Sequence, residues 1–163
     1  MLNKSKVALI GAIAAAGMFS SAANAATVSA DARVNILAPV ILTQTAGLDF
    51  GVVASGVAAG TVTLPNSSNV RTCSAGLACV GAAQRGAFSV TGAVTYTIAI
   101  TVAASTTLTG VGTPMALTLN PSATSIVATG TAQPFFVGGT LTVGAAQAAG
   151  TYTGTYNVSA DYQ

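Results

Sequence analysis

Asp31, Asp49 and Asp161 are the only side-chain carboxylates in the sequence, and no histidine accompanies them. That excludes a triad or an imidazole proton shuttle, and the acid–base chemistry left is a carboxylate pair of the kind glycosidases use. The contexts argue against such a pair. Asp31 and Asp161 each sit on the polar side of an alternating stretch, where an aspartate is ordinarily solvated. Asp49 lies in "LDFG" at a turn, where its carboxylate is expected to take a backbone hydrogen bond. The expectation is a protein that is not an enzyme and carries no cofactor. Cys73 and Cys79 bracket "SAGLA". Five intervening residues are too many for a redox C-x-x-C, and without histidine or glutamate nothing completes a metal site. The simplest expectation is a disulfide pinning a short loop, worth about 2 kcal/mol by loop-closure entropy. Neither "GVGTP" nor "VGGTLTV" precedes a helical pattern, so their glycines read as turns or a bulge and not as phosphate cradles. Phe135 and Phe136 must point to opposite faces of a strand, one into a core.

These residues have to be positioned by elements, and the first of them is a leader. Lys4 and Lys6 precede an apolar run from Val7 to Phe19, then "SSAANA", in which Ala23-Asn24-Ala25 fits small-x-small cleavage. Residues 1–25 read as a signal peptide with Ala26 as the mature start. The apolar run is shorter than the roughly 20 residues a bilayer span needs. The expected route is export, through a periplasm and on to the cell surface or outside. Beyond residue 25, Arg33, Arg71 and Arg85 balance the three aspartates. A neutral surface without a basic patch excludes nucleic acid and anionic membrane as expected partners, and it permits self-association.

Strand patterns fill what remains. "TVSADARVNI" alternates without a break, Val28, Ala30, Ala32, Val34 and Ile36 falling on one side. Pro39 then interrupts the ladder. Further strands are expected over residues 40–45, 48–53, 60–64, 87–92, 94–102, 114–120 and 135–143. The closing strand, "TYTGTYNVSADYQ", places Tyr152, Tyr156, Val158 and Tyr162 on one side. Short strands separated by Gly, Pro, Asn and Ser clusters in one domain mean an all-β fold, an immunoglobulin-like antiparallel β-sandwich. A transmembrane barrel would need roughly ten-residue strands and two aromatic girdles; tryptophan is absent and the aromatics cluster late.

"LDFG", "GTVTL", "FSVTG" and the long closing run "FFVGGTLTVGAAQAAGTYTGTYNVSADY" resemble the secreted bacterial family known as domain of unknown function 4402, over about Ala32 to Tyr162. That family is similar in layout to subunits of archaic chaperone–usher pili and to spore coat U type domains, which share a short leader, an L-x-F-G element and a final G-T-Y strand. The resemblance implies a surface-fibre building block and assigns no catalytic or ligand residues. The Cys73–Cys79 loop is outside the shared pattern.

In pilus subunits the sandwich lacks one strand, and the last strand borders a groove that another chain fills by strand addition. The chain then reads as leader 1–25, N-terminal strand 26–37 and sandwich 38–163, with Val28, Ala30, Ala32, Val34 and Ile36 as donor side chains. Tyr152, Tyr156, Val158 and Tyr162 form the C-terminal edge. Equally, residues 26–37 could be the first strand of their own closed domain, because both uses bury the same face. The partners expected from donation are copies of this chain or related subunits, a periplasmic chaperone and an outer-membrane usher, giving a structural subunit of a fimbria-like fibre. The alternative is a monomeric secreted sandwich that binds a carbohydrate or host surface through its end loops. Scarce charge and missing tryptophan weigh against that.

Overall fold

A computed structural model describes residues 25–163, which belong to two units, Met1–Asn35 and Ile36–Gln163. All but the last residue of the expected leader lies outside the described residues. In the first unit residues 25–35 carry no helix or strand, and Val28 and Val34 are 92% and 85% exposed. Of the strand expected at residues 26–37, the part in this unit carries no strand. Alternation shows that a segment can cover an apolar surface; a strand exists only where another backbone answers its N–H and C=O groups.

The second unit is all-β, with no helix among the described residues. Its strands are β1 (Ile41–Ala46), β2 (Val52–Ala54), β3 (Gly60–Leu64), β4 (Thr72–Cys73), β5 (Ala78–Val80) and β6 (Gly86–Thr91), followed by β7 (Thr97–Val102), β8 (Ser105–Leu108), β9 (Met115–Pro121), β10 (Ser125–Val127), β11 (Gln133–Val143) and β12 (Val158–Tyr162). Every pairing is antiparallel. β11 organises the larger sheet. Its first half pairs with β6 and its second half with β3, while β9 covers its middle. Phe136 sends both backbone groups to Ser122: its carbonyl accepts from Ser122 N at 2.8 Å, and its N–H donates to Ser122 Oγ at 2.9 Å. Backbone groups alternate between edges along a strand, so β9 and β6 flank β11 on opposite sides. The resulting row is β1-β6-β11-β9.

The Gly138-Gly139 pair marks the change of partner from β6 to β3. A Cβ on Gly138 would meet the backbone of Leu64, Pro65 and Asn66 where the chain leaves β3, and one on Gly139 would meet Thr118 O. Only glycine admits that approach.

The second sheet is β10-β7-β12. β7 passes into β8 through Ala103-Ala104, changing sheets, and the closing strand follows it. Thr153 bridges Thr109, Asn157 O accepts from Ala103 N at 3.0 Å, and β12 then pairs with β7. The core falls into two clusters. One gathers Phe50, Val62, Leu64, Met115, Leu117, Leu141 and Val143. The other gathers Phe88, Val90, Ile98, Ile100, Ala128, Phe135 and Val137, with Phe88 stacked on Phe135 at 5.2 Å.

Candidate functional site

The immunoglobulin constant-type sandwich puts strands A, B, E and D in one sheet and C, F and G in the other. Taken in chain order, β1, β6, β7, β9, β11 and β12 occupy A to F, with A-B-E-D and C-F adjacent as the topology demands. Among the described residues no strand fills position G, on the free side of β12. β1 pairs only with β6 and β12 only with β7, and the two lie next to each other with no ladder between them. The last strand of one sheet and the first strand of the other therefore meet along unpaired backbone edges, the candidate cleft.

Its walls follow from side-chain alternation. The closing strand is shorter than its alternation leads one to expect, β12 covering only Val158–Tyr162 with one bridge at Thr153, because β7 and β8 change sheets beside it. Along residues 152–162 Tyr152, Tyr156, Val158, Ala160 and Tyr162 are half-buried, while Thr153, Gly154, Thr155, Asn157, Ser159 and Asp161 are exposed. Tyr156, Val158, Ala160 and Tyr162 pack on the second core cluster, as do Val40 and Leu42 from the β1 side. All six apolar walls stop short of full burial, the state of a core surface missing its cover.

Two tyrosines are held firmly in this wall. Tyr162 Oη donates to Ala38 O at 2.7 Å and accepts from Ala93 N at 2.6 Å, and its ring stands edge-on to Tyr96 at 5.9 Å. Tyr156 stands edge-on to Phe88 at 6.3 Å; its hydroxyl is buried without a hydrogen-bond partner, and burial pushes its pKa up. Both hydroxyls lie against glycines at the ends of β6. A Cβ on Gly86 would come within 2.6 Å of Tyr156 Oη, and one on Gly92 within 2.9 Å of Tyr162 Oη.

The remaining sequence candidates take structural positions. Cys73 and Cys79 form the expected disulfide, which joins β4 to β5 and so fastens the β2–β5 pair to the large sheet. Asp49 Oδ1 accepts from Gly51 N at 2.7 Å, the expected turn, with Gly51 at φ +66°. Asp161 lies on the outer side of β12 opposite Ala99, and Asp31 is exposed. The three carboxylates thus serve three separate segments. Phe135 is 1% exposed, whereas Phe136 lies beneath the Arg85 guanidinium at 3.6 Å, so the second ring is used within the domain.

Sequence reasoning passed over Arg71. Its Nη1 donates to Phe50 O at 2.6 Å and its Nη2 to Val80 O at 2.6 Å and Val52 O at 3.4 Å, tying the turn after Asp49 to β5. The available signal was an arginine two residues before a cysteine in a chain nearly empty of charge. A depression of about 560 Å3 lies elsewhere, lined by Gly112, Thr113, Pro114, Gly144, Ala146 and Gln147. Its one amide donor, Gln147 Nε2, is spent on Thr113 O at 2.6 Å and Tyr152 Oη at 2.8 Å, leaving little to orient a ligand.

No curated protein and no solved structure matches the chain. One family model does, over residues 40–162, beginning after the N-terminal stretch and covering the whole sandwich. With its all-β unit matched from β1 to the end of β12, this chain belongs to the family described as a domain of unknown function, DUF4402.

Proposed function

We propose that this protein is an exported structural subunit of a bacterial surface fibre, assembled by donation of an N-terminal strand from each copy into the cleft of the next. The observation that carries this reading is the vacant G position, bordered by free edges of β1 and β12 above a half-covered apolar core. The proposed donor, residues 26–36, alternates and stands outside every strand, with Val28, Val34 and Ile36 exposed to 85% or more. Seating a valine or isoleucine fully is worth roughly 1.5–3 kcal/mol, and main-chain bonds to the free edge of β12 add to it. The disulfide is compatible with export. During transit the same cleft would need cover, the expected task of a periplasmic chaperone before handover at an outer-membrane usher.

Strand direction supports an open filament. Tyr162 Oη on Ala38 O brings the end of β12 to the place where the chain enters β1, so these strands run in opposite directions. A donor antiparallel to β12 has its C-terminal end, and the body it belongs to, at the opposite end of the cleft. Each subunit then receives at one end and gives from the other, which propagates head to tail without closing.

The test compares purified protein with and without residues 26–37, adding a synthetic peptide of those residues to the truncated form. Expected are ladders of the intact protein on gels, and a monomeric truncated form that binds the peptide one to one and unfolds at higher temperature with it. An intact protein that stays monomeric, with a truncated form indifferent to the peptide, overturns the reading in favour of a monomeric binding module.

A further inference from the structure

We infer that residues 26–36 of one copy lie antiparallel to residues 152–162 of the next in a single register, with Ala32 beside Tyr156 and Ala26 beside Tyr162. This rests on the strand-donation reading and adds the side-chain code that aligns the joint.

The backbone sets which residues can take part. Thr153 exchanges hydrogen bonds with Thr109, Asn157 O accepts from Ala103 N, and Gln163 N donates to Thr97 O. Odd-numbered residues of the closing strand therefore face β7 and β8, and alternation turns the N–H and C=O groups of the even-numbered ones toward the open edge. The even positions from Tyr156 to Tyr162 carry the half-buried wall. Their incoming neighbours must be the even-numbered, apolar residues of the donor, because a slip of one residue would put polar side chains onto the core.

Among registers of that parity, size decides. Directly opposite residues in an antiparallel pair lie about 4.5–5.5 Å apart, so two large side chains crowd and two small ones leave a void. Tyr162 is pinned at both hydrogen-bonding positions of its hydroxyl, and Tyr156 is wedged between Phe88 and Gly86, so neither ring can swing aside. In the inferred register Ala26 meets Tyr162, Val28 meets Ala160, Ala30 meets Val158, Ala32 meets Tyr156 and Val34 meets Gly154. Large faces small at every pair but the last, where Ile36 meets Tyr152, and the donor and acceptor stretches are equal in length. Moving the donor two residues one way sets Val28 and Val34 against the tyrosines and Ala30 against Ala160. Two residues the other way leaves Ala26 against Ala160 and Ala32 against Gly154. A shift of four in the first direction brings Asp31 opposite Asp161, a like-charge pair, and in the other sets Val28 against Tyr156 and Ala30 against Gly154. Ala30 and Ala32, the weak points of the donor when only buried area is considered, become the residues that admit the tyrosines.

Cysteine pairs read the register. Ser29 and Ser159 fall opposite each other on the outer face at a close, non-hydrogen-bonded position whose spacing suits a disulfide, while Ser29 lies diagonal to Asn157 and Asp161 at about 7–8 Å. The full chain with Ser29→Cys and Ser159→Cys is expected to form covalent ladders under mild oxidation at least ~10-fold faster than Ser29→Cys with Asn157→Cys or with Asp161→Cys. Faster linkage of either diagonal pair overturns the register and leaves strand donation standing. No linkage in any pair, from a protein that stays monomeric, overturns both. A second variant works without cysteines: Ala32→Leu, at a position outside every strand, is expected to slow ladder formation ~10-fold or more, and far more than Ala30→Val. Equal effects of the two would also overturn the assignment.

Discussion

Around Leu64 the sandwich is fastened by ties, whereas around Val90 it relies on long strands and leaves two edges bare. The first region contains β2, β4 and β5, of two or three residues each, too short to hold a ladder alone. The disulfide and the three hydrogen bonds of Arg71 draw them onto the core cluster that includes Leu64. The second region is built from strands of five or six residues, β1, β6, β7 and β12, whose pairing and aromatic stacking need no staple. Short strands demand side-chain ties because few backbone bonds are made per ordered residue. Longer strands can dispense with them and keep an edge available.

The comparison can be broken first by truncating one core residue on each side. Leu64→Ala and Val90→Ala should each cost about 2–4 kcal/mol in urea unfolding. Only Val90→Ala, beneath the cleft, should also weaken binding of the 26–37 peptide measured by calorimetry. Equal loss of peptide affinity in both would show that the two regions act as one. Replacing Cys73 and Cys79 together by serine should cost about 2 kcal/mol while leaving ladder formation intact, since the staple belongs to the tied region. Tyr162→Phe removes an acceptor from Ala93 N and a donor from Ala38 O, for a loss of about 1–2 kcal/mol in thermal unfolding and slower ladder assembly.

Tyr156→Phe is the smallest and most diagnostic change. Its hydroxyl is buried without a partner, so deletion should be neutral or stabilising by up to about 1 kcal/mol. The ionisation has a definite sign. Burial raises the folded-state pKa above 10.0, so the folded protein keeps a proton that the unfolded chain releases. Stability from this source is whole below about pH 10 and is lost as the pH rises through the folded-state value. Unfolding midpoints followed across that range should fall more steeply for the parent protein than for Tyr156→Phe; parallel curves would mean that the hydroxyl is solvated.

Long, strongly patterned strands were legible in advance. "GTVTL" forms β3 over the expected residues, and the odd-numbered side chains of "FFVGGTLTV" enter the core as the alternation demands. The short strands β4, β5, β8 and β10 were missed, because two to four residues carry no measurable period. Val94–Tyr96 was expected to open a strand and forms a turn instead, with Thr95 at φ 74° and its N–H given to Ala128 O. β-Branched residues favour strands on average, and tertiary hydrogen bonding overrides that preference here. Leu48–Phe50 likewise makes one bridge, Asp49 to Gln84, in place of the first half of a strand. Of the candidate site, the alternation marks the side on which Tyr156, Val158 and Tyr162 are half-buried, whereas Tyr152 packs on the first core cluster, away from that wall. The opposing wall of Val40 and Leu42, and the glycines that receive the hydroxyls, could not be read from the sequence.

Side-chain period, charge balance and cysteine spacing are local properties, so they settled the all-β class, the face each residue shows and the closed disulfide loop without reference to coordinates. Which strand lies beside which is a different matter. Backbone N–H and C=O groups are alike at every residue, and the choice among partners is made by packing between segments far apart in the chain. Only the folded structure therefore shows that β1 and β12 meet without pairing, that Arg71 braces the turn beside the staple, and that the alternating stretch before Pro39 has no ladder of its own. Periodicity tells a segment which side to bury, and the tertiary arrangement decides whether anything is there to bury it against.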